Sequence, residues 1–111
     1  SYMVCRDKEV CRKYEEDKLN TNFATAGWFV EMEKARKYTV ENAGRFDYPC
    51  LILQAGDDIL VDPETNKRFF EDIGTEDKEF ELYEGFYHEI LNDPEKEKVL
   101  ERIYGWIESR L

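Results

Sequence analysis

Tyr48-Pro49-Cys50-Leu51-Ile52-Leu53-Gln54-Ala55-Gly56-Asp57-Asp58-Ile59-Leu60-Val61-Asp62-Pro63 is the stretch on which the fold class of this chain turns. Cys50 to Ala55 are mostly apolar and stand between a proline and a glycine. Such a run predicts a strand covered on both faces, as in a parallel sheet. The Gly56-Asp57-Asp58 turn then places carboxylates just past the strand's carboxyl end, where open α/β sheets bind their ligands. The only histidine, His88, follows a second strand-like segment, Glu79-Phe80-Glu81-Leu82-Tyr83, and a turn at Gly85. One acid and one base therefore each emerge after a strand.

Working outward, Asp62-Pro63 is a helix start: aspartate as N-cap, proline at the first helical position, and Glu64 near the positive end of the dipole. This helix is expected to run to about Asp72, with Phe69, Phe70 and Ile73 on its buried side. Residues 74–78 form a surface connection. Phe80 and Leu82 fall on one face of the second strand, whose alternation suits a sheet edge with one wet face. Asp93-Pro94 repeats the cap-plus-proline signal. It opens a last helix with Val99, Leu100, Ile103, Trp106 and Ile107 in one apolar stripe. Towards the N-terminus, Val10, Cys11 and Tyr14 share a helical face after an Asp7 cap. A longer helix is expected from about Phe23 to Glu41, capped by Thr21 or Asn22 and closed by Gly44. Its Phe23, Ala26, Val30 and Tyr38, with Phe29 and Ala35 beside them, make a loose stripe, and Trp28, Phe29 and Tyr38 read as packing residues. The order helix, helix, strand, helix, strand, helix is α/β, with two parallel strands joined by a right-handed crossover. Two strands make a poor independent sheet, so the chain reads as the end of a larger α/β domain.

Composition narrows the function. The 111 residues suffice for one domain with a modest core. The 16 basic and 26 acidic residues leave a formal charge of −10. No basic face is on offer for nucleic acid or an anionic membrane, and the acidic balance serves solubility. Cys5, Cys11 and Cys50 form no Cys-x-x-Cys pair and, with a single histidine, no zinc set. An odd number of thiols fits a reducing, cytoplasmic setting. Asp57, Asp58 and Asp62 lack the spacing and glycine of a calcium loop, so no metal or cofactor is expected.

An aspartate after one strand and a histidine after the next are two parts of a nucleophilic triad. The carboxylate would hold imidazole Nδ1–H, and Nε2 would take a proton from a hydroxyl. The order acid then histidine suits a serine upstream of both. Spacing alone also leaves room for a histidine that merely supports its loop.

The residues from Tyr48 to Asp62, then Leu82-Tyr83-Glu84-Gly85-Phe86-Tyr87-His88-Glu89, then Trp106, resemble the monoacylglycerol lipase and lysophospholipase group of α/β-hydrolases, which is serine aminopeptidase-like. The resemblance runs from about Asp7 to Leu111 and is strongest over 49–89. It implies the C-terminal fragment of an α/β-hydrolase fold. Residues 1–47 would be the helical segment following the cap, and residues 48–111 the terminal core part carrying the triad acid Asp58 and base His88. Asp57 and Asp62 would serve turn and helix capping, and Glu89 a surface role. Asp17-Lys18-Leu19 departs from the Asp-Pro-Leu frequent in relatives. The family's Gly-x-Ser-x-Gly elbow is missing: the only serines are Ser1 and Ser109. The resemblance thus implies a lipid-like ester substrate, a nucleophile outside this chain, and an inactive fragment. The alternative is a non-catalytic module that assembles with partners. In either case the bare strand edge is expected to recruit a second copy of the isolated chain, which light scattering reads as a mass above that of a monomer.

Overall fold

A computed structural model describes residues 3–21 and 23–111. Helices α1 (Lys8–Glu16) and α2 (Ala26–Glu41) lead through a 3₁₀ turn at Ala43–Arg45 to strand β1 (Cys50–Ala55). Helix α3 (Pro63–Asp72), strand β2 (Lys78–Tyr83), a 3₁₀ turn at Ile90–Asn92 and helix α4 (Lys96–Glu108) follow. The strands pair in parallel, Cys50 opposite Lys78 through Ala55 opposite Tyr83. Among the described residues β1 has no neighbour on its other edge.

The sheet lies between α3 and α4. On the α4 side, Ala55, Tyr83, Phe86 and Val99 form the buried core, with Leu53, Ile90 and Ile103 against it. On the α3 side, the rings of Phe70 and Phe80 are 5.6 Å apart. Lys78 Nζ donates to the carbonyls of Phe70 at 2.8 Å and Ile73 at 2.9 Å. A cation thereby satisfies acceptors that a helix C-terminus leaves free.

Local sequence accounts for the helix starts. The Asp7 carboxylate accepts from Glu9 N and Val10 N, and Asp62 from Glu64 N, with Pro63 in the first turn. α4 differs from expectation. It begins at Lys96, because Asp93 closes a tight turn over Pro94, its Oδ1 accepting from Glu95 N at 2.9 Å. α2 starts later than expected: Thr25 caps it, with Trp28 N donating to Thr25 Oγ1 at 3.1 Å, and Phe23 lies outside it. Asn22, the other expected cap, lies outside the described residues. Asn42, not Gly44, ends α2, and Gly44 sits inside the following 3₁₀ turn.

Burial corrects three expectations. In β1 only Gln54 and Ala55 are fully buried, because the outer edge has no neighbour. The Glu79–Glu81 face of β2 is not simply wet: Arg102 of α4 crosses it and pairs with both carboxylates. No residue of α2 is buried, and Trp28 and Phe29 are each 56% exposed. Bare aromatic surface of this extent is the mark of an interaction face.

Candidate active site

Asp58 lies in the turn after β1, and its two oxygens have separate tasks. Oδ1 accepts from Leu60 N at 2.9 Å and Val61 N at 3.0 Å, an arrangement in which the aspartate shapes its own turn. Oδ2 stands 2.8 Å from His88 Nδ1. The Asp58 side chain is only 4% exposed, against 39% for His88. Burial pushes the Asp58 carboxyl up, but the bonds from His88 and from the Leu60 and Val61 amides outweigh it and hold the carboxyl below its usual range. An ionised carboxylate can only accept. His88 Nδ1 therefore carries the proton of this hydrogen bond, which in a neutral imidazole leaves Nε2 as the nitrogen that can act as a base.

The backbone joins the two loops before the side chains meet. Beyond the last paired residues, Gly56 N donates to Tyr83 O at 2.8 Å and Asp57 N to Phe86 O at 2.9 Å. Gly85, with φ of 78°, makes the turn that a side chain would resist. Phe86 then drops into the core at 4% exposure, and His88 follows at the surface. A parallel sheet puts both strand ends on one side, so consecutive loops are neighbours by construction.

Other residues singled out from the sequence stand apart from this pair. Asp62 serves α3, accepting from Glu64 N and from Thr65 Oγ1. Asp57 is exposed, and Glu89 accepts from Asn92 Nδ2 at 2.9 Å. Among the described residues no three His, Cys, Asp or Glu side chains gather as a metal site. Ser1 lies outside the described residues, and Ser109 donates to Trp106 O at the end of α4. Sequence reasoning passed over Gln54. Its Nε2 lies 3.5 Å from Asp58 Oδ2, and its Oε1 accepts from Asn66 Nδ2 at 2.5 Å. The available signal was one amide in an otherwise apolar strand, four residues before the acid.

Beside the pair, Met3, Asp57, Ile59 and Tyr87 line an open depression of about 320 Å³. A larger groove of about 520 Å³ is lined by α2 residues alone, from Phe29 to Glu41. Neither is lined by Asp58 or His88 themselves; the smaller one is lined by their chain neighbours Asp57, Ile59 and Tyr87, and the larger by none of them.

The buried carboxylates make the fold acid-labile. Asp93, like Asp58, is raised by burial and lowered further by its partners, Arg6 foremost, to a net value below the usual range. Both folded-state values lie below the unfolded value of about 3.9, so the unfolded chain takes up protons first as pH falls. The stabilisation is present in full at neutral pH and lost as pH drops from about 4 through the folded-state values. Circular dichroism against pH should show unfolding in that window. Asp93→Asn should flatten the acid limb, and an unchanged limb would refute the assignment.

Residues 1–95 match the family described as serine aminopeptidase, S33. The chain is 32% identical over 109 residues to a putative monoglyceride lipase of Schizosaccharomyces pombe, covering 96% of this chain and 29% of that protein. It is 33% identical over 98 residues to a phospholipase of Bacillus subtilis, covering 87% of this chain and 38% of that one. A monoacylglycerol lipase structure from Paleococcus ferrophilus superposes with a TM-score of 0.91 at 28% identity, over 98% of this chain and 43% of the other. This chain thus spans less than half the length of each of these proteins. Together with two parallel strands whose ends bring an aspartate onto a histidine, the match assigns the chain to the serine aminopeptidase S33 family of α/β-hydrolases.

Proposed function

We propose that Asp58 and His88 are the acid and general base of a Ser-His-Asp triad whose serine lies outside these residues. The longer protein would hydrolyse carboxylic esters of lipid-like substrates. The observation that carries this reading is the 2.8 Å contact between a buried carboxylate and imidazole Nδ1 at the ends of adjacent strands. In this reading His88 Nε2 takes the serine proton as the hydroxyl attacks the ester carbonyl, and returns it to the leaving alkoxide. It then activates water against the acyl-enzyme. Asp58 stabilises the imidazolium throughout and stays ionised. The lipid-like substrate is supported by the lipase and phospholipase relatives. Residues 1–47 would follow the cap, and residues 48–111 would form the end of the core. The uncovered side of α2 and the open edge of β1 would pack against the rest of the longer protein.

The test uses the longer protein with a monoacylglycerol and a lysophospholipid. It is expected to release fatty acid from at least one of them. A fluorophosphonate is expected to label a serine outside residues 1–111, and the 111-residue chain by itself to take no label. Release from neither substrate, or labelling of Ser109, would sink the reading.

A further inference from the structure

The loop from Phe86 to Asp93, which carries His88, is gripped by a strap at Val4–Arg6, more than 80 residues away in the sequence. Glu89 N, next to the histidine, donates to Val4 O at 2.8 Å. Cys5 Sγ donates to Asn92 O at 3.2 Å. Arg6 holds Asp93 with both prongs, Nε to Oδ2 at 2.6 Å and Nη2 to Oδ1 at 2.5 Å. Nη2 also reaches Glu95 Oε2 at 3.0 Å. The same guanidinium lies 4.5 Å from the centre of the Phe86 ring. One arginine therefore touches the first and the last residue of the histidine loop.

The geometry suits positioning. Asp93 is 2% exposed and Arg6 30%; the bidentate fork fixes the guanidinium geometrically on the carboxylate, and losing it would leave a buried charge without its partner. His88 is itself 39% exposed, and among the described residues its ring's one hydrogen bond is to Asp58. Restraint at the loop's ends therefore bears on where the ring sits. Asp57 N on Phe86 O sets one end against the acid turn, and Arg6 sets the other.

We propose that Arg6 is a positioning residue: through Asp93 and Phe86 it holds the histidine loop so that the imidazole stays on Asp58 with Nε2 aimed at the nucleophile. This rests on the triad reading above. A reacting group displaced by about 1 Å loses on the order of 100-fold in rate, so a loosened loop should appear in turnover rather than in substrate binding.

The experiment compares Arg6→Ala, Arg6→Lys and Asp93→Asn in the longer protein. Active sites are counted by end-point fluorophosphonate labelling, so that turnover is expressed per competent site. A merely structural role lowers the number of sites and leaves the turnover of each unchanged. The expected result for Arg6→Ala is a kcat per site about 10- to 100-fold lower with KM within about threefold. Arg6→Lys, which keeps the charge but not the fork, should fall between. A kcat per site within about twofold of the parent in Arg6→Ala overturns the proposal, even if the melting point drops. If Arg6→Ala does not fold, unchanged kcat per site in both Arg6→Lys and Asp93→Asn overturns it instead. Full activity in His88→Ala would remove the triad reading itself. An inactive His88→Ala beside fully active Arg6 variants would remove only the strap.

Discussion

Replacing His88 by alanine in the longer protein is expected to lower ester turnover by about 10⁴-fold or more, and Asp58→Asn by about 10⁴-fold. The two losses have different origins. Without the imidazole no group takes the serine proton. With asparagine at position 58 the imidazole remains, but the carboxamide NH₂ can donate to Nδ1. That stabilises the tautomer with its proton on Nε2, where the base is needed. The imidazolium also loses the negative charge at 2.8 Å that stabilises it. The double variant should be little worse than the poorer single one, because the residues act as one unit. Steady-state turnover of one monoacylglycerol at neutral pH is sufficient. Either single variant within about tenfold of the parent would end the triad assignment.

Gly74→Ala should cost about 2–4 kcal/mol of folding stability, the largest effect expected outside the site. A Cβ at Gly74 would stand 2.3 Å from the carbonyl oxygen of Gly44 and 3.3 Å from that of Phe46. Both obstacles are backbone, so no flexible side chain can swing aside. The neighbouring hydrogen bond from Thr75 N to Phe46 O, at 3.0 Å, resists separation of the two segments. Gly44→Ala is the control. There a Cβ meets only Asp72 O at 3.8 Å, an ordinary contact. That substitution should change stability by less than about 1 kcal/mol. Urea midpoints of the two variants decide the matter. Equal midpoints would mean that the close approach of residues 44 and 74 contributes nothing.

Much of the core was legible because its signals are local. The bounds of β1 follow from Pro49, Gly56 and the apolar run between them, and the start of α3 from Asp62-Pro63. The meeting of Asp58 with His88 follows from two parallel strands, since residues just past adjacent strand ends have little freedom to be far apart. At both ends of α2 the local signals point to the wrong residue. Thr25 outcompeted Thr21 as its cap, and Asn42 ended it where a glycine signal suggested Gly44. Its aromatic residues carry a packing signal, and in this chain they are bare.

By itself the sequence determined the strand–turn–helix grammar from Pro49 to Asp72 and the chemical identity of the facing acid and base. Those depend on propensities and hydrogen bonds spanning a few residues. Only the tertiary structure decided that Arg6 closes on Asp93, that Gln54 and Asn66 stand behind Asp58, and that Gly74 must have no side chain. The Arg6–Asp93, Gln54–Asn66 and Gly44–Gly74 contacts each join segments 12 or more residues apart in the chain. Their energy comes from burial and from approach distances of a few ångströms, which no local pattern encodes.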